Sequence, residues 1–338
     1  MSKLSSVMLV FTYLIGTSII LIPVSGISEQ DMWISGLLAW TIGLGFAFVL
    51  SLCKPLKGRH LIARLIFAAY SIFLAVLVTR NLGEITGLTL LPSTPQIVCN
   101  TILVFIAAYA TFQGKDILGH LSIIMAAPFI ISQLIILAMS MSVMNPEQLL
   151  PVFDHSPGLI LKSAFPFTSF PFMELIVLFP LLGNVINPAK ALLPGTLLAG
   201  AILLITIVII TTVLPLSEIQ NIALPFFNVS KSIPQGNYIG LPLVMVWILT
   251  GFMKLAIIHN VAVCELKAAF NIKKTGYINI FVTLAIISFS ILIFNNTIQM
   301  SNFAFKGYPY IAMPIQIGLL IYFLIVGRLS GNSKPAQN

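Results

Sequence analysis

Phe165-Pro166-Phe167-Thr168-Ser169-Phe170-Pro171 stands inside an apolar stretch that is otherwise long enough to cross a bilayer. Proline removes a backbone donor and its ring collides with the preceding turn, so the segment predicts a helix that comes apart at mid-depth. Near the start of the chain, Ile15-Gly16-Thr17-Ser18 sits halfway along the first apolar run, with Pro23 near its far end. Glycine favours unwinding. Inside a membrane, unwound backbone is tolerated only where protein buries it or where it lines a cavity. Two such segments therefore imply a polytopic membrane protein with a cavity between them.

Working outward from these breaks, ten apolar runs can be counted: Val7–Val24, Met32–Cys53, Leu61–Val78, Ile97–Phe112, Ile117–Val143, Phe165–Leu182, Leu193–Leu214, Leu241–His259, Tyr277–Phe294 and Tyr310–Val326. About 20 apolar residues span a bilayer as helix, whereas a transmembrane barrel would show alternating segments of about ten. The third run is expected to continue past Arg80 and Glu84, which are spaced to pair as i, i+4 on one helix face. The first run follows Lys3 and precedes Ser25-Gly26, as a signal peptide would. It is longer than a usual signal core of about 7–15 residues and lacks a cleavage pattern, so it is read as a span.

Composition agrees. The 338 residues are 58% hydrophobic and 8% charged, against roughly 25% charged in soluble proteins. So little charge cannot cover a soluble globule, and disorder needs the opposite balance. The net charge of +8 comes from 17 Lys and Arg scattered over short loops, not from a dense patch, so nucleic acid is not an expected partner. Ten spans place both termini on one side. That side carries Lys3, Lys54, Lys57, Arg59, Arg64, Lys115, Lys190, Lys267, Lys273, Lys274, Arg328 and Lys334, and the other carries Arg80, Lys162, Lys231 and Lys306. A bias of twelve to four puts both termini in the cytoplasm. The chain reads as a single transmembrane domain over 1–338, with repeats at about 5–143 and 160–327 and a short tail at 328–338.

The two breaks fall in spans one and six, the first helices of two five-span halves. Because five is odd, the halves have opposite topology. Thr17-Ser18 and Thr168-Ser169 are 151 residues apart. Interrupted spans in corresponding places are the best sequence pointer to an inverted-repeat fold and its binding site. At each break, half-helices leave backbone groups unpaired. The amide end from Thr17 to Ile19 offers donors and partial positive charge to a carboxylate. The carbonyl ends near Leu14 and Ile15, and near Phe165 and Phe167, suit an ammonium group. One pole for each charge is what a zwitterionic amino acid needs.

The candidate ligand-binding residues are Ile15, Gly16, Thr17, Ser18, Phe167, Thr168, Ser169, Phe170 and Glu174. Glu174 lies three residues beyond Pro171, where it gains from a helix N-terminus and could hold a proton or an amine. A charge at membrane depth costs roughly 2.5–3.5 kcal/mol on insertion scales, which marks it as functional. Lys254, in span eight, is a possible charge partner near the base of the pocket; the alternatives are a purely structural ion pair with Glu174, or a lysine that snorkels to the cytoplasmic interface. Tyr70 and Phe73 are candidate pocket walls, with Phe172 another aromatic nearby. Between spans seven and eight, Leu216–Phe227 is expected as an amphipathic helix on the outer face. The three Cys and four His show no metal-ligand spacing. No cofactor is expected. No nucleophile–base spacing or phosphate loop appears, so an enzyme is not the expected class.

The residues also resemble a known family. Ile15-Gly16-Thr17-Ser18-Ile19-Ile20-Leu21-Ile22-Pro23, Gln30-Asp31-Met32-Trp33-Ile34-Ser35, Leu91-Pro92-Ser93-Thr94-Pro95 and Ser169-Phe170-Pro171-Phe172-Met173-Glu174-Leu175 are similar to the B subunits of spore nutrient-germinant receptors. These form a branch of the amino acid–polyamine–organocation superfamily. The resemblance reaches through Phe270, with Met173 standing where family versions often carry glycine. It implies a receptor in the spore inner membrane that senses a small nutrient, commonly an amino acid. It implies a larger A subunit and a lipoprotein C subunit as partners, and a site lined by spans one, three, six and eight. The alternative reading of the same fold is an amino-acid permease, uncoupled or proton-coupled, with Glu174 carrying the proton.

Overall fold

The computed structural model describes residues 1–18, 22–53, 60–182, 188–219, 224–234 and 236–331. Ile19, Lys54, Lys57, Arg59 and the tail beyond 331 lie outside the described residues, and the side chain of Pro23 lies outside them too. Among the described residues every regular element is helical. The elements are α1 (Lys3–Ile15), a 3-10 segment at Ile22–Asp31, α2 (Met32–Leu52), α3 (Leu61–Thr89), α4 (Gln96–Gln113), α5 (Lys115–Ser140), a 3-10 turn at Pro146–Leu149 and α6 (Pro157–Ser169). A 3-10 segment follows at Phe172–Leu178, then α7 (Phe179–Leu182), α8 (Ala189–Val213), α9 (Leu216–Ile219), α10 (Pro225–Ser232), α11 (Gly236–Ala269), α12 (Thr275–Leu292) and α13 (Thr297–Asn302). A π-turn at Phe303–Gly307 leads into α14 (Tyr308–Gly331).

Nine helical stretches among the described residues are long and apolar enough to cross a membrane. The first expected span differs from the rest: its helix has 13 residues and stops at Ile15. The chain is an all-α polytopic membrane protein. The third span runs to Thr89, past Arg80 and Glu84 as expected. The eighth is longer than expected, Gly236–Ala269, because Pro242 sits inside the helix without ending it. The stretch expected as one helix at Leu216–Phe227 is instead two short ones, α9 and α10, since Pro225 opens the second at its first turn.

Polarity is arranged for a lipid surround. Phe48, Ile62, Phe105, Ile124, Leu134 and Phe281 are exposed on the outer faces of their helices. Hydroxyls turned inward are satisfied one turn back: Ser122 donates to the Leu118 carbonyl at 2.8 Å, and Thr211 to that of Ile207 at 2.7 Å. The core forms where α1 packs on α5, α8 and α11, α2 on α6 and α8, and α3 on α4, α11 and α12. Small residues set these approaches. A Cβ at Gly195 would stand 2.6 Å from Val10, and one at Gly43 would stand 2.5 Å from the Phe172 ring. Close backbone approach of this kind drives helix association where the surrounding lipid is as apolar as the helices.

Candidate ligand site at the two helix breaks

Helix α1 begins with Ser2, whose hydroxyl accepts from the Ser5 amide at 3.1 Å. It ends where Gly16, whose amide donates to the Thr12 carbonyl at 2.9 Å, turns the chain out of helical geometry. Helix α6 begins with Ser156 as cap and Pro157 in its first turn, tolerates Pro166 internally, and ends at Ser169. Phe170 is extended there, and the chain continues as the tighter 3-10 segment Phe172–Leu178. The interruption therefore lies at Phe170-Pro171, later than the first proline.

The charged centre joins these elements. Lys254 Nζ of α11 lies 2.7 Å from Glu174 Oε2, and both side chains are fully buried. The ammonium also lies 4.2 Å from the Phe170 ring centre and 5.2 Å from that of Tyr13, an arrangement that lets aromatic faces help hold a desolvated cation. Its carbon stem runs past Gly16, where a Cβ would meet Lys254 Cβ at 2.7 Å and Cδ at 2.8 Å. The glycine at the first break thus makes room for the lysine. The Tyr13 hydroxyl donates to the Glu174 backbone carbonyl at 3.2 Å, fastening α1 to the segment after the second break.

Helix α14 supplies the remaining partners. The Tyr308 hydroxyl donates to Glu174 Oε1. The Tyr70 and Tyr308 oxygens are 3.1 Å apart, and Gln316 Nε2 donates to the Tyr70 oxygen at 2.7 Å. With Tyr308 committed to Glu174, Tyr70 donates to Tyr308, so every donor in the chain points toward the carboxyl group. Gln316 Nε2 also donates to the Ser169 carbonyl at 3.1 Å, which satisfies backbone freed at the end of α6.

Beside this centre lies a partly open cavity. Thr17, Phe167, Phe170 and Glu174 line it, together with α3 residues and the stretch from Met300 to Tyr308. Of the remaining expected residues, Lys254 lies behind the lining residues Glu174 and Phe170, and Gly16 packs on the Lys254 stem. The Ser18 hydroxyl donates across the first break to the carbonyl of Leu14 in α1, and the Thr168 hydroxyl to that of Ala164 within α6. Ile15 is buried in the core. Ser169 meets Gln316. Tyr70 acts through Tyr308, and Phe73 stacks on Tyr308 at 6.3 Å. Arg80 Nε and Glu84 Oε2 are both buried without a hydrogen-bond partner. The Thr17 hydroxyl, buried and facing the cavity, has no partner either. Tyr13, Tyr308, Gln316 and the 300–308 stretch were not among the sequence candidates. The only local signal was the polar Gln316 within an apolar span.

The chain matches a protein family described as spore germination protein over residues 1–301. It is 23% identical over 344 aligned residues to Spore germination protein KB of Bacillus subtilis (strain 168), an alignment covering 94% of this chain and 92% of that protein. The matched region contains both helix breaks, Glu174 and Lys254, and a membrane-spanning helical chain matched over so much of its length belongs to the spore germination protein family.

Proposed function

We propose that this chain is a germinant-receptor B subunit that binds a small nutrient, an amino acid, between the interrupted spans one and six. The observation that carries the reading is the fully buried Glu174–Lys254 pair, held where both interruptions meet and open to a cavity through Glu174. Buried charges are costly unless used, and in membrane proteins they mark ligand or ion paths. The unpartnered Thr17 hydroxyl suits one end of a zwitterion. The Lys254 ammonium, with three donors, pairs with one carboxylate oxygen and has capacity for a second acceptor. Phe167 and Phe170 provide apolar wall.

In this reading the two five-span halves form an inverted repeat, both termini are cytoplasmic, and the chain resides in the spore inner membrane. Nutrient binding favours one arrangement of the helix bundles, and only differential affinity for the two arrangements can drive that shift. The change passes to A and C subunits. The test is germination of spores in which this chain is the sole B subunit. Thr17→Leu or Phe170→Trp, each adding bulk in the cavity, is expected to abolish the nutrient response while the protein stays in the membrane. An unchanged dose–response curve would remove those residues from the pocket. A permease is the second reading, since Glu174 reaches the cavity and could carry a proton. Accumulation of labelled amino acid by the chain expressed alone would establish it.

A further inference from the structure

Helix α3 contributes Leu74, Leu77, Val78 and Asn81 to the cavity wall. Three are apolar, and the fourth is an amide. Asn81 is 5% exposed, and its Oδ1 is buried without a hydrogen-bond partner. A buried amide left unpaired costs the desolvation of its polar group. Ser71 Oγ, Thr79 Oγ1, Arg80 Nε and Glu84 Oε2 of the same helix are also buried without a partner, but Asn81 is the one of these residues that lines the cavity, where a partner can enter.

Its position along the helix says which part of a ligand that partner is. Tyr70, on the same helix, meets Tyr308 beside Glu174. Along the lining itself Asn81 lies seven residues beyond Leu74, which at 1.5 Å per residue is about 10 Å along the axis, a length that an extended amino acid with a hydrogen bond at each end spans. The turn between Tyr70 and Asn81 on the cavity side is Leu74, Leu77 and Val78. The cavity therefore has a charged end, an apolar middle and a lone neutral amide at the far end. Among the described lining residues Glu174 is the one that carries charge. Arg80 and Glu84, next to Asn81 on α3, are not among the lining residues, so a charged tip near Asn81 would meet no counter-charge in the wall itself.

We propose that Asn81 is a specificity-determining residue, and that the nutrient carries an uncharged hydrogen-bonding group, an amide or hydroxyl, at the end remote from Glu174. This rests on the reading of the cavity as an amino-acid site and adds which side chain it selects. Sites built to bond a polar group reject analogues that lack it far more sharply than apolar pockets reject an extra methylene. L-glutamine and L-methionine are matched in length and differ in that group.

The test is thermal-shift titration of the full chain, purified in detergent, with L-glutamine, L-methionine and L-lysine. L-glutamine is expected to bind at least about tenfold more tightly than the other two. Asn81→Leu is expected to bring the glutamine-to-methionine ratio to one or below. Asn81→Ser, which keeps a hydroxyl, is expected to preserve the order, and Asn81→Ala provides the ratio if the leucine variant does not accumulate. A parent chain that binds L-methionine or L-lysine as well as L-glutamine overturns the role given to Asn81 while leaving the amino-acid site intact. So does a ratio that Asn81→Leu or Asn81→Ala leaves unchanged. Binding of none of the three overturns both.

Discussion

Glu174 and Lys254 are each tolerable in the membrane interior because the other is present. With 2.7 Å between the charges and no exposure for either side chain, removing one partner leaves a bare buried charge, at a cost of about 3–5 kcal/mol. Glu174→Gln is therefore expected to lower the thermal unfolding temperature of the detergent-solubilised chain and to weaken the nutrient response. The double variant Glu174→Gln with Lys254→Met removes both charges and is expected to regain most of the stability but not the response. A single variant as stable as the parent would show that the pair is not a unit. Gly16 is tied to the same residue from the backbone side. Gly16→Ala sets a methyl 2.7 Å from Lys254 Cβ, and overpacking of that kind costs about 1–3 kcal/mol. Its expected signature is a reduced nutrient response with normal membrane insertion, read on the same assays. Both residues were legible in the sequence, since an acid beside two prolines and a lysine in an apolar run are local anomalies. Tyr308 and Tyr13 were not, because a tyrosine in a span is ordinary. What makes Tyr308 matter is a hydrogen bond to a residue 134 positions earlier.

At the level of elements, the two interrupted spans are fastened to each other on both sides of the breaks. On one side α1 holds the 172–178 segment through Tyr13. On the other, the stretch that follows the first break holds the approach to α6. Asp31 accepts from the backbone amides of Phe153 at 2.9 Å and His155 at 3.0 Å. Gln30 donates to Asp154 at 3.0 Å, and the Ser28 hydroxyl donates to Ser163 at 2.9 Å. Ser35 adds a bond to the Ile160 carbonyl at 3.1 Å. Hydrogen bonds to a charged group contribute about 1.5–3 kcal/mol each. Asp31→Asn loses the charge and sets an amide NH₂ against a backbone N–H. Amide hydrogen exchange at 153–155 is expected to quicken by about tenfold or more, with exchange in α12 unchanged. Equal exchange in parent and variant would mean the clasp does not hold that loop. The breaks themselves could be read from glycine and proline spacing. Their joint fastening could not, since Asp31 beside Trp33 reads equally well as a helix cap. That the second break falls at Phe170-Pro171, the far end of the expected segment, has the same root. A proline inside a helix costs one backbone bond, and here the flanking turns of α6 keep theirs, with Phe170 donating to the Pro166 carbonyl at 2.9 Å.

For the molecule as a whole, the arrangement of lysine and arginine makes a claim about sidedness that hydropathy alone does not. The ten runs counted in the sequence correspond to nine long helices among the described residues plus the 13-residue α1, so the count holds only if α1 and the segment after it together make one crossing. If they do, the termini share a face, and Lys306, which is exposed within the cavity-lining π-turn, lies on the opposite one. If α1 does not cross, Lys3 alone joins the opposite face, the bias becomes eleven to five, and the later loops keep their sides. Single cysteines at Ser2, Ala336 and Lys306, placed in a chain whose Cys53, Cys99 and Cys264 have all been changed to serine, separate the two cases. A membrane-impermeant thiol reagent added to intact cells is expected to label Lys306→Cys at once, and to label Ser2→Cys and Ala336→Cys only after permeabilisation. Labelling of Ser2→Cys without permeabilisation, with Ala336→Cys still protected, would place α1 on the wrong side of the bilayer. It would also remove the opposed topology on which the symmetric site depends, because a half with four crossings repeats in parallel, and its broken helices could not present a carbonyl end and an amide end to the same ligand.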